Sequence, residues 1–234
     1  MILFKILDAK IKIWDVNNGS LLNIFDSASY VLVLESLSNG YLASGSHDGN
    51  VRIWDTVNGN LVYKFDESMI GHTDDVVVLK NLPGGLLASG SKDNTVKIWN
   101  YENGTLLQTL NEHTGSITSL VLLSNGNLAT SSEDSTIKIW DIYNGSLLLN
   151  FDISNGGHNA SVNSLVSLTN GYLASASADA TIKLWDVENG LLKHTFDRKN
   201  GGHLNSVFKL VSLPDNELAS GCVDGTVKIW EIED

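Results

Sequence analysis

The chain has 234 residues, 42% hydrophobic and 18% charged, enough for a substantial buried core in one domain, 1–234. Asp and Glu number 27 against 15 Lys and Arg, a formal net charge of −12; that balance argues against nucleic acid and favours basic or polar protein and peptide partners. One cysteine, Cys222, excludes an intrachain disulfide, no run approaches a membrane span, and the opening residues lack a signal-peptide pattern. The expectation is therefore a reducing compartment, cytoplasmic or nuclear, with no membrane contact.

In chain order, residues 1–26 read as a second, third (Ile11 to Asp15) and fourth (Leu21 to Phe25) strand of a unit whose first strand is missing. Four complete units come next, from about Tyr30 to Asp197. In the unit around Trp185, strands run Ser161 to Leu168, Tyr172 to Ser177, Thr181 to Asp186 and Leu191 to Phe196. Asn170-Gly171 and Asn189-Gly190 turn the chain between them, because both residues tolerate positive φ. A last unit supplies three strands and stops before a fourth. The prediction is 22 strands.

All six tryptophans (14, 54, 99, 140, 185 and 230) fall in one phrase of the type IKIWD, at spacings of 40, 45, 41, 45 and 45 residues. A four-stranded unit at that period cannot bury both apolar faces alone, so the pattern predicts all-β four-stranded antiparallel blades packed as a propeller or similar stacked array. Three arrangements stay open. One is a six-bladed ring with incomplete first and last blades. A five-bladed ring would leave the Trp14 segment without a place, and a fragment of a larger propeller would leave edges open to self-association.

An aspartate stands six residues before each tryptophan: Asp8, Asp48, Asp93, Asp134, Asp179 and Asp224. Histidines introduce four units, at His72, His113, His158 and His203, and a Ser or Thr lies ten residues before Trp54, Trp99, Trp140, Trp185 and Trp230. A Ser-His-Asp set resembles nucleophilic machinery, but several copies at the blade period fit a structural network better. In that network Asp accepts from His, which links through Ser or Thr to the Trp ring nitrogen. No catalytic residue is assigned. No metal or other cofactor is expected either, because the histidines lie a whole repeat apart and Cys222 looks isolated. One basic residue per repeat (Lys12, Arg52, Lys97, Lys138, Lys183, Lys228) reads as a stem along a strand with its head at the rim.

The Gly71-His72, Ser91-Lys92-Asp93 and Trp99-Asn100 elements, with Gly157-His158, Ala178-Asp179 and Trp185-Asp186, resemble the WD40-repeat family over nearly the whole chain. The departures are Asn100 and Glu231 in place of the final Asp, Glu112 before His113, and a unit near Tyr30 that lacks Gly-His, which would leave Asp48 without a histidine and that blade less rigid. The resemblance implies a noncatalytic protein-interaction scaffold. It also makes the loops beside each turn aspartate the partner-binding candidates: His47, Thr73, Asp74, Asp75, Lys92, Thr114, Glu133, Asn159, Leu204 and Asn205. An enzyme, a nucleic-acid-binding propeller, or a truncated fragment acting only through assembly are the alternatives.

Overall fold

The computed structural model describes residues 2–7, 9–69 and 71–232, so Asp8 lies outside the described residues. The chain divides into two compact units, Met1–Asn111 and Glu112–Asp234. The first unit holds three antiparallel sheets. They are β1 (Ile2–Leu7), β2 (Lys10–Asp15) and β3 (Leu21–Asp26); β4 (Val31–Ser36), β5 (Leu42–Ser46), β6 (Val51–Trp54) and β7 (Leu61–Phe65); and β8 (Val76–Leu82), β9 (Leu86–Ser91), β10 (Val96–Asn100) and β11 (Thr105–Leu110). The second unit repeats the plan. Its sheets are β12 (Ile117–Leu122), β13 (Leu128–Ser132), β14 (Ile137–Trp140) and β15 (Leu147–Phe151); β16 (Val162–Ser167), β17 (Tyr172–Ser177), β18 (Ile182–Asp186) and β19 (Leu191–Phe196); and β20 (Val207–Ser212), β21 (Glu217–Cys222) and β22 (Val227–Glu231). Every strand pairs with its sequence neighbour, so each sheet is a meander built from hairpins.

The second and third strands of a complete sheet are the best buried: β9 is buried throughout, and β10 carries Val96, Ile98 and Trp99 at 0% exposure. Its register with β11 shifts between Ile98 and Trp99, a bulge that recurs before Trp14, Trp54, Trp140 and Trp185. Neighbouring sheets are fastened by aromatic contacts: a fourth-strand Phe meets the next sheet's Trp. Phe25–Trp54 and Phe65–Trp99 do this in the first unit, with centroids 5.4 and 4.5 Å apart. Phe151–Trp185 and Phe196–Trp230 do it in the second, at 4.4 and 4.8 Å.

The two spacing classes have a local cause. Where tryptophans are 45 residues apart, a short 3-10 turn comes after the fourth strand: Glu67–Met69, Ile153–Asn155 or Arg198–Asn200. Asp152 and Asp197 cap two of these turns with reciprocal bonds to Asn155 and Asn200. The glycine before histidine then lies against the backbone of the preceding Asp. A Cβ on Gly71 would sit 2.5 Å from the Asp66 carbonyl carbon, and Gly157 and Gly202 are packed the same way on Asp152 and Asp197. The segment before His113 has no such turn, which is why that histidine tolerates Glu112 in place of glycine.

The last sheet differs from the rest. Ile182 and Leu184 of β18 are 1% and 5% exposed, whereas their counterparts Val227 and Ile229 of β22 are 72% and 54% exposed. No helix among the described residues is long and apolar enough to cross a membrane.

Candidate functional site

The aspartate turns organise the polar residues of each sheet. In the β8–β11 sheet, Trp99 Nε1 donates to Ser89 Oγ (2.8 Å), His72 Nε2 lies 2.7 Å from the same Oγ, and His72 Nδ1 is 2.8 Å from Asp93 Oδ2. The indole N–H can only donate, so Ser89 accepts it and passes its own proton to Nε2. That leaves the imidazole proton on Nδ1, facing the carboxylate. Asp93 also accepts from the Thr73 and Thr95 backbone N–H groups and from the Thr95 hydroxyl. Burial pushes Asp93 up, but the hydrogen bonds from His72 and Thr95 outweigh it and hold the carboxyl well below its usual range.

The same relay occurs twice in the second unit. It runs Trp140–Thr130–His113–Asp134 at 2.9, 2.8 and 2.8 Å, and Trp185–Ser175–His158–Asp179 at 2.8, 2.8 and 2.9 Å. Burial is the main reason the His158 pKa falls below its ordinary value, so it stays neutral. The residue after each aspartate is left-handed even where it is not glycine, as at Asn94, Ser135 and Ala180 (φ 69°, 72° and 67°), and the relay holds that conformation.

Two copies depart from the pattern. In the β4–β7 sheet, Arg52 takes the histidine's place: Nη2 reaches Asp48 Oδ2 at 2.6 Å, and Nη1 reaches Ser46 Oγ at 2.7 Å and Asp48 Oδ1 at 3.2 Å. Trp54 still donates to Ser44 at 2.9 Å. Burial raises the Asp48 pKa, but the Arg52 bond and charge carry it far below the usual range. Asp48 has no histidine partner and is paired by Arg52 instead. The expected rim charge is corrected: Arg52 is 4% exposed. The bidentate guanidinium spans the distance because it offers several donors in one plane. Lys97, Lys138 and Lys183 likewise turn inward onto the fourth strand, to Thr109, Asn150 and Thr195. The signal for Arg52 was in the sequence: the one arginine at this position stands in the one complete repeat without an introducing histidine.

The last sheet is the other departure. Trp230 and His203 Nε2 meet Ser220 Oγ at 2.8 and 2.7 Å, but Asp224 is exposed and is reached through Thr226. The Thr226 hydroxyl donates to Asp224 at 2.6 Å and lies 3.2 Å from His203 Nδ1.

The loop residues split into two kinds. In the first unit, Asp75 is 4% exposed and receives Lys92 Nζ at 2.9 Å, with His47 Nδ1 on its other oxygen. Lys92 first, with His47 adding to it, holds the Asp75 carboxyl below its ordinary value. Asp75 is therefore a buried anchor for two exposed side chains and not a free loop residue, whereas Thr73 and Asp74 beside it are exposed. In the second unit, Thr114, Glu133, Asn159, Leu204 and Asn205 are all exposed. Glu133 accepts from the Ser116 hydroxyl at 2.9 Å, and the Thr114 and Asn159 backbone N–H groups are fixed on Asp134 and Asp179 at 2.9 and 3.2 Å. The relay thus clamps loop backbones while leaving their side chains outward.

Comparison with protein families matches the WD40 repeat, described as WD domain, G-beta repeat, over residues 21–55, 60–100, 104–141, 148–186 and 191–231. Comparison with curated protein sequences gave no match. Among solved structures, the computationally designed Ika8 protein is similar with a TM-score of 0.82 and 31% identity, over 98% of this chain and 70% of that one. The WD40 β-propeller domain of Doa1 is similar at TM-score 0.76 and 24% identity, over 100% and 76%. A chain of a mitotic checkpoint complex is similar at TM-score 0.82 and 23% identity, over 99% and 71%. At those last two identities the likeness concerns the fold alone.

Proposed function

This chain belongs to the WD40-repeat family, whose members commonly act as protein-interaction scaffolds, and from that premise we propose that it is itself a noncatalytic scaffold. The observation that carries this reading is the consumption of the chemistry-bearing residues by the frame. In three relays each hydroxyl, imidazole and carboxylate is bonded to its neighbours, deep beside a tryptophan, with no reactive atom turned to solvent. A nucleophile whose base already serves as the acceptor in a closed chain has no substrate to attack.

What varies is the set of side chains that the frame holds outward: His47, Thr73, Asp74 and Lys92 in the first unit, and Thr114, Glu133, Asn159, Leu204 and Asn205 in the second. Such residues change without disturbing strand pairing, which suits them to selecting protein or peptide partners. The acidic total favours partners with basic surfaces, in a cytoplasmic or nuclear setting. The test is affinity capture from a reducing extract with the wild-type chain and a Thr73→Arg, Glu133→Lys, Asn159→Arg variant, leaving the buried Asp75 intact. The variant should fold normally and lose most of the captured proteins. Equal recovery by both chains would discard these loops as the contact surface.

A further inference from the structure

We propose that His203, Cys222 and Asp224 form a binding site for a single divalent metal ion of the zinc class. Their ligand atoms lie within 4.8 Å of one another, with His203 and Cys222 buried and Asp224 exposed. A thiolate, an imidazole and a carboxylate are the donor types zinc accepts, and three protein ligands leave a fourth position for water. The exposed Asp224 gives the ion a way in.

The case rests on how this copy departs from its siblings. Elsewhere the Cys222 position holds Ser91, Ser132 or Ser177, whose hydroxyls donate to a loop carbonyl at 3.0, 2.7 and 3.1 Å. The Cys222 thiol keeps that contact, to Asn205 O at 3.3 Å. Elsewhere, too, the histidine Nδ1 is bonded directly to its aspartate at 2.8–2.9 Å. Here, among the described residues, Nδ1 is hydrogen-bonded to Thr226 Oγ1 at 3.2 Å instead, and the Thr226 hydrogen is directed to Asp224. The Asp224 carboxylate, the Cys222 sulfur and a His203 ring nitrogen nonetheless stay within 4.8 Å of one another. The repeat thus replaces a hard oxygen by a soft sulfur in the one copy where the imidazole nitrogen is not taken by its carboxylate.

An outer support is present. For Nδ1 to bind a metal, Nε2 must carry the proton and donate it. Ser220 Oγ stands 2.7 Å away to receive it, and its own proton can turn to Lys228 O at 3.5 Å. On binding, Cys222 releases its thiol proton to solvent as the sulfur–metal bond forms. Lys228 opposes the added charge, but its ammonium is tied to the carbonyl oxygens of Gly201 and Gly202.

The experiment titrates the untagged, chelator-treated full chain with Co2+ and then Zn2+. One equivalent of Co2+ should produce a thiolate-to-metal charge-transfer band that Zn2+ displaces. Cys222→Ser installs the residue its sibling repeats carry, so the variant should melt like the wild type. It should lose the band and bind Zn2+ more than about 100-fold more weakly, since even an outer-support residue is worth about 10–100-fold. Asp224→Asn should keep the band and weaken binding, and Lys228→Gln should tighten it. Absence of the band, or equal Zn2+ affinity in wild type and Cys222→Ser, would overturn the proposal.

Discussion

The sheets β16–β19 and β20–β22 are neighbours in one unit and share a sequence plan, yet only the first closes its relay. The difference lies in how far each aspartate is buried. After β18 the chain continues through β19 and the Asp197–Leu204 segment, and Arg198 and Leu204 line the same recess as Asp179 and Thr181. The Asp179 side chain is left 6% exposed and bonded directly to His158. Asp224 is exposed, and its carboxylate accepts the Thr226 hydroxyl instead. A hydrogen bond that looks local is therefore set by the next segment of chain: desolvation makes the His–Asp contact worth forming, and solvent removes the incentive.

The strongest way to break the comparison is at its tryptophans. Trp185 is fully buried against Phe151, so Trp185→Ala should lower unfolding free energy by about 3–5 kcal/mol in chemical denaturation. Trp230 is only half-buried, and Trp230→Ala should cost about half as much. Equal losses would mean that the last sheet is as well supported as its neighbour.

A smaller effect should come from the histidines. His158→Ala strands a buried Asp179 and Ser175, a loss of about 2–3 kcal/mol. His203→Ala strands no buried carboxylate and leaves the Ser220 and Thr226 hydroxyls one partner short, a loss of about 1 kcal/mol. The same melts should rank His158→Ala well below His203→Ala in stability, and a reversed order would refute the role assigned to the covering segment.

The mildest perturbation is pH. Burial holds the His158 pKa below its ordinary 6.5, so the unfolded chain binds protons that the folded one refuses. Stability is full above pH 6.5 and should fall as pH drops from there toward the lower folded value. His158→Gln should flatten that segment of a melting-temperature profile. The depressed carboxylates Asp93, Asp134 and Asp179 add a second loss below their ordinary 3.8, in the same direction.

The sequence by itself determined the strands, their grouping and the relay, because a tryptophan phrase at a fixed period, Asn-Gly turns and a His 21 residues before the Asp in four repeats are local patterns repeated until they become unambiguous. It also carried a readable hint of Arg52, the single guanidinium opposite the single missing histidine. Tertiary structure decided the rest. Asp75 read as a loop residue and is a buried anchor, because its burial depends on Lys92 and His47 arriving from other turns. Cys222 read as solitary because its partners stand 19 residues before it and two after, a distance that only the hairpin of β21 and β22 and the crossing from β20 can close. The exposure of Asp224 was not legible in its repeat either: patterns specify which groups are available to bond, while burial, which depends on whatever packs above them, decides which bonds form.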